Sequence, residues 1–159
     1  MLKKVLVGFV IMASFAGCLK GENNTTCSYD ECAVKAPASE IQAVQEYLTS
    51  NNITNAQQHC SGFFYIIDNA GTGKFPTACS YVNATYTGKF TNGNSFDEGT
   101  ADFGLTQVIR GWTNGIPLIK EGGKIRLFIP PTLGYGQEPY QSIPGKSILI
   151  FEVTLNGVY

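Results

Sequence analysis

Between Ala38 and Asn52 the apolar positions recur at helical spacing. Ile41, Val44 and Leu48 fall on one stripe with Tyr47 beside them, which predicts a single helix. Ser39 followed three residues later by Gln42 predicts a capping box at its start. Asn51 and Asn52 suit the left-handed backbone that ends helices. From Ser61 onward the signal changes to strands and turns. "GFFYIID" is a β-prone run stopped by "NAGTGK", and "SYVNATYTGKF" alternates, with Tyr81, Asn83 and Thr85 on one face and Val82, Ala84 and Tyr86 on the other. "TNGN" marks a tight turn, followed by a short strand at Ser95–Asp97. "KIRLFIPPTLGYG" and "SILIFEVTLNGV" supply two more strands, with Ile125, Leu127 and Ile129 facing one side. "GWTNGIPLIKEGG" has room for two or three helical turns, which bend or end at Pro117, since proline inside a helix costs about 3 kcal/mol. Many strands and one short helix predict an α+β fold, an antiparallel β-sheet wrapped over that helix and preceded by an N-terminal helical extension.

Composition narrows the function more than the fold. With 43% apolar and 14% charged residues among 159, the chain can build one packed domain plus an extension. The net charge is -1 and no basic stripe exists, so nucleic acid is not an expected partner. His59 is the single histidine, which leaves no histidine cluster for a metal and no catalytic triad; it reads as structural or solvent-exposed. No metal or cofactor is expected.

The first residues carry an export signal. Lys3 and Lys4 precede an apolar stretch, Val5 to Phe15, too short to span a bilayer but suited to a signal peptide. It ends in "FAGC", which resembles the lipobox of bacterial lipoproteins, with Phe15 where leucine is commonest. The resemblance implies cleavage after residue 17, lipidation of Cys18 and a membrane tether through "KGENNTT"; ordinary signal cleavage with Cys18 incidental is the alternative. Leu19 in place of aspartate favours the outer membrane of the cell envelope. In an oxidising compartment Cys27, Cys32, Cys60 and Cys79 read as disulfides rather than zinc ligands, since no CxxC pair occurs. Four cysteines allow three pairings and the sequence does not choose among them. Closing long loops constrains the unfolded chain more, which favours Cys27–Cys79 with Cys32–Cys60.

Three segments in order, "YTGKFTNGNSFD", "VIRGWTNGIPLIKEGGKIRLFIPPTLGYG" and "IPGKSILIFEVTLNGV", closely resemble the FKBP-type peptidyl-prolyl cis-trans isomerases, from about Ser61 to Val158 and without gaps from Val108. The resemblance implies an isomerase domain over 61–159 behind an extension over 18–60, with an apolar pocket between sheet and short helix. It places Tyr86 on the pocket wall, and Phe96 and Asp97 as the "FD" pair. Val108 and Ile109 form the edge, Ile109 offering its backbone N–H. Trp112 forms the floor, Tyr135 supplies a hydroxyl donor, Ile143 forms a loop wall, and Phe151 forms the far wall. Taken singly, these aromatics suit a core equally well.

The implied partners are proline-containing polypeptides and macrolides such as rapamycin, with the protein a monomer. The alternative is a non-catalytic binding or chaperone module on the same fold. The match departs between Asp97 and Val108, where only "EGTADFGLTQ" intervenes. Relatives carry a longer bulged strand there with another aromatic wall and a basic residue near the aspartate. Phe103 is the candidate replacement for that wall, the pocket is expected to be more open, and Asp97 is expected to lack an arginine partner. Tyr140, in the loop after Tyr135, is positioned to add or block a contact.

Overall fold

A computed structural model describes residues 27–159; the expected signal peptide and the expected lipidation of Cys18 lie outside the described residues. Helix α1 (Ala38–Ser50) precedes six strands: β1 (Gln57–Gln58), β2 (Phe64–Asn69), β3 (Tyr81–Phe90), β4 (Ser95–Gly104), β5 (Lys124–Ile129) and β6 (Leu149–Val158). Helix α2 (Arg110–Gly115) interrupts them between β4 and β5. The strands form one sheet in the order β1-β2-β5-β6-β3-β4, antiparallel at every pairing. This is the expected α+β architecture.

Strand β5 shows how the two faces divide. Ile125, Leu127 and Ile129 are fully buried on the face that α2 covers, whereas Phe128 turns to the opposite face and joins Val44 and Leu48 of α1. The sheet is thus covered at strand β5 by the short helix on one face and by the N-terminal helix on the other. Helix α2 comes unusually close to the sheet. A Cβ on Gly111 would stand 2.5 Å from Ile129 Cδ1, and one on Gly115 2.6 Å from Leu127 Cδ2. The glycines at this i, i+4 spacing form the helix face that lies on β5. Trp112 is left to project elsewhere.

Several local expectations are corrected. No capping box forms: Pro37 takes the N-cap position, and Glu40 instead accepts bonds from the Thr132 amide (2.9 Å) and hydroxyl (2.8 Å) and from Gln137 (2.7 Å). Of the two terminal asparagines only Asn52 is left-handed, at φ 56°, while Asn51 stays at φ -101°. The break expected near Pro117 is present: the α-helix containing Trp112 ends at Gly115, and Pro117 lies in a 3-10 turn, Ile116–Leu118, that needs fewer of the bonds proline removes. The short strand at Ser95–Asp97 is in fact ten residues long, ending at Gly104.

The N-terminal segment is tied down by two disulfides, Cys27–Cys79 and Cys32–Cys60, with Cα separations of 5.7 and 5.6 Å. Between them the chain reaches the back of α2. Tyr29 donates its hydroxyl to buried Asn114 at 2.7 Å, and the Asn114 amide donates to the Glu31 carbonyl (2.9 Å) and to Ser61 Oγ (3.2 Å). His59 completes this cluster: it is buried, stacked on Phe63 at 4.5 Å, bonded to Ser61 Oγ through Nδ1, and 3.7 Å from Glu31. Burial lowers its pKa in spite of the opposing pull of Glu31. Glu31, His59 and Cys60 lie close enough to share a metal ion, but Cys60 is bound in a disulfide and has no thiolate to offer. Among the described residues no helix is long and apolar enough to cross a membrane.

Candidate functional site

A cavity of about 300 Å³ opens between β3, β4, β6, the start of α2 and the loop carrying Tyr135. This volume lies at the lower end of the range for small-ligand sites, roughly 300–1,000 Å³. Its lining includes Tyr86, Asp97, Val108, Ile109, Trp112, Tyr135 and Phe151, seven of the nine positions singled out in the sequence. A larger groove of about 570 Å³ runs between the Thr91–Asn94 turn and residues 142–148, but its walls are mostly polar and exposed. An apolar recess with a few convergent polar groups is the better ligand site.

Trp112 is the floor. It is 5% exposed and touches three rings: Tyr86 and Phe151 edge-on at 5.0 and 5.1 Å, and Phe103 tilted at 5.2 Å. Such edge-to-face contacts place the positive rim of one ring on the negative face of another, which stiffens the walls as well as burying area. The indole Nε1 is buried with no hydrogen-bond partner among the described residues.

Phe96 and Ile143 stand outside the lining. Phe96 lies one layer back, edge-on to Phe151 at 5.5 Å and against Phe90 at 4.8 Å. Its position follows from a bulge in the β3–β4 ladder: Gly88 pairs with Asp97 and Lys89 with Ser95, so Phe96 has no partner. A bulge of this kind turns two successive side chains to one side, and the "FD" pair can therefore put both residues on the pocket face. Gly88 leaves the space for this, since a Cβ there would lie 2.7 Å from Phe96 and 2.8 Å from Phe151. Ile143 is buried, and its backbone exchanges two 2.9 Å bonds with Tyr140. It supports the loop rather than walling the cavity.

Phe103 fills the wall that the shortened segment puts in question, and Ala101 joins it. Both share with Asp97 the pocket-facing side of β4, an alternation visible only once the strand is extended to Gly104. Gln107 is a further lining residue without a sequence signal. Tyr140 stacks on Tyr135 at 4.9 Å, nearly parallel, and so adds to the rim.

The polar groups are few. Tyr86 donates its hydroxyl to Asp97 Oδ2 at 3.2 Å. Burial, and then the Asp97 charge, push the Tyr86 phenol above its ordinary value, and the same two causes raise that of Tyr135. Both hydroxyls therefore stay protonated, and able to donate, through and beyond pH 9. Any reaction that relies on them should run at constant kcat/KM from pH 6 to 9, falling only as the pH passes the raised phenol values above 10; a pH–rate profile checks this. Ile109 sits at the N-cap of α2, and its N–H has no acceptor among the described residues. The site therefore offers aromatic walls, two or three neutral donors and one carboxylate. It holds no nucleophile–base pair.

The FKBP-type peptidyl-prolyl cis-trans isomerase family model matches residues 72–156, more than half of the chain. The chain is 38% identical over 120 residues to an FKBP-type peptidyl-prolyl cis-trans isomerase FkpA of Aeromonas hydrophila, covering 72% of this chain and 45% of that protein. It is 46% identical over 104 residues to a probable FKBP-type isomerase of Haemophilus influenzae, covering 62% of this chain and 43% of that protein. The chain thus spans less than half the length of these relatives. Among solved structures, FkpA from Escherichia coli superposes with a TM-score of 0.69 at 35% identity, covering 76% of this chain and 60% of that one. A prolyl isomerase from Pseudomonas syringae superposes at 0.67 and 28% identity, covering 79% of this chain and 98% of that one.

Proposed function

The chain belongs to the FKBP-type peptidyl-prolyl cis-trans isomerase family, and from that premise we propose that it catalyses cis-trans exchange of Xaa-Pro bonds in polypeptides at the Trp112 pocket. The observation that carries this reading is the aromatic box: Tyr86, Phe103, Trp112 and Phe151 enclose a recess that admits a pyrrolidine ring, with neutral donors at its rim.

Prolyl rotation meets a barrier of about 18–20 kcal/mol because the C–N bond has partial double-bond character. Uncatalysed exchange takes on the order of tens to hundreds of seconds. No bond to the enzyme is needed. In the twisted transition state amide resonance is lost and the dipole of the planar form falls, so an apolar recess favours the twisted state relative to the planar one. The Ile109 N–H and the Tyr135 hydroxyl can hold carbonyls flanking the rotating bond, while the proline ring stays fixed against Trp112. Donors set in place before reaction cost no reorganisation when the bond turns.

The domain over 61–159 forms the catalytic unit, with 18–60 as its extension. Lipidation at Cys18 would hold the protein at a membrane face of the cell envelope, the outer membrane on the evidence of Leu19, acting as a monomer on exported polypeptides. The same recess would accept a macrolide such as rapamycin, whose binding would be read from Trp112 emission.

Tyr135→Phe tests the donor role. It keeps the ring stacked on Tyr140 and removes only the hydroxyl, so kcat/KM on an Xaa-Pro peptide should fall about tenfold, the equivalent of one hydrogen bond near 1.4 kcal/mol. Unchanged kinetics would remove Tyr135 from the mechanism. An aggregation assay on an unfolded client, run beside it, separates catalysis from simple holding of apolar chains.

A further inference from the structure

The pocket carries a single formal charge. Of its lining residues Asp97 is the one acid and none is basic; the others are apolar, tyrosyl or amide. Tyr86 fixes Asp97 Oδ2, while Oδ1 accepts no hydrogen bond among the described residues. Nor does Asp97 form an ion pair among them: the pairs are His59–Glu31, Lys89–Glu152, Lys124–Glu152 and Arg126–Asp68. Arg110, one residue beyond Ile109, is exposed and does not pair with it.

The strand that carries Asp97 strengthens the asymmetry. Among the described residues β4 is the outer strand of the sheet, and its far edge is unpaired. Along Ser95–Gly104 it bears no lysine or arginine to offset Asp97, while Glu98 and Asp102 lie on the face turned away from the pocket. Asp97 lines the recess that would take the proline, so an acidic neighbour there is repelled and a basic one is met by a carboxylate with a free oxygen.

We propose that Asp97 is a specificity-determining residue that selects prolyl bonds flanked by lysine or arginine, the ammonium or guanidinium group pairing with Oδ1 while Tyr86 holds Oδ2. This rests on the isomerase reading above. Asp97 is solvent-exposed, so the preference is modest and screened by salt: about twofold to fivefold between a basic and a neutral neighbour.

The test uses three Xaa-Pro-Xaa peptides, with both Xaa positions Lys, Gln or Glu, and reads kcat/KM at low and high salt. For the wild type the expected order is Lys above Gln above Glu, converging at 1 M salt. Asp97→Asn keeps an acceptor for Tyr86 and should bring the Lys-to-Glu ratio close to one, whatever happens to the common rate, and Asp97→Lys should invert it. Equal wild-type rates on all three peptides, or a wild-type ratio retained in Asp97→Asn, overturns the proposal while leaving the isomerase reading intact. Acceleration of none of the three overturns the isomerase reading itself, and this proposal with it.

Discussion

Trp112→Ala is expected to lower stability by about 3–5 kcal/mol and kcat/KM on prolyl peptides by about a hundredfold or more, the equivalent of roughly 2.7 kcal/mol of lost transition-state binding. The indole is both the floor of the pocket and the ring on which Tyr86, Phe103 and Phe151 lean. Truncation opens a cavity beneath the site and releases three walls at once, so fold and function fail together. Trp112→Phe separates the two effects. A phenyl ring restores much of the packing and removes the buried, unpartnered Nε1, whose burial without a partner costs about 1–3 kcal/mol. Its stability should therefore stay within about 1 kcal/mol of wild type, while the shortened floor holds proline less firmly and kcat/KM falls about tenfold. Urea unfolding and peptide kinetics on both variants check the pair. A Trp112→Ala protein with wild-type kinetics would place the reaction somewhere other than this pocket.

Opening the disulfides should have the second-largest effect. Cys27–Cys79 and Cys32–Cys60 close stretches with sequence separations of 52 and 28. Loop-closure entropy assigns about 3–4 kcal/mol of stability to each. The consequence reaches the site through the back of α2. Asn114 stands two residues from Trp112 and is held by Tyr29 and Glu31 of the disulfide-bound segment. When that segment comes free, a buried amide loses partners beneath the pocket floor. Cys32→Ser/Cys60→Ser should therefore unfold at markedly lower urea and show a higher KM, as α2 becomes less rigid. Asn114→Ala, with both disulfides intact, should reproduce the KM change with a smaller stability loss. If the double serine variant matched wild type in both respects, the segment would be an appendage without structural effect.

Local periodicity made the central sheet and the short helix readable, whereas the pocket positions were implied by the family resemblance of three segments and not by the pattern itself. Strand β4 was only partly readable. It is an edge strand exposed over most of its length, so apolar alternation scarcely marks it, and "EGTADFG" contains only Ala101 and Phe103 to report which side faces inward. The Ser39–Gln42 capping box failed because Pro37 supplied the helix start, and Glu40 in that first turn bonds to partners 92 and 97 residues away, which no local pattern announces. Asn114 shows the same limit: its bonds to Tyr29 and Glu31 span 85 and 83 residues, and nothing in "GWTNG" announces them. The displacement of Phe96 behind Phe151 depends on a one-residue bulge, which a motif match does not reveal.

The central claim is that the aromatic box turns a prolyl bond rather than merely gripping it. Exchange NMR on an Ala-Lys-Pro-Phe peptide, with the protein at a small fraction of the peptide concentration, measures cis-trans interconversion directly. The account predicts exchange shortened from tens of seconds to well under one second, with the acceleration proportional to protein added and about a hundredfold or more weaker in Trp112→Ala. Peptide that binds, as seen by Trp112 emission, while exchanging at its uncatalysed rate would contradict it.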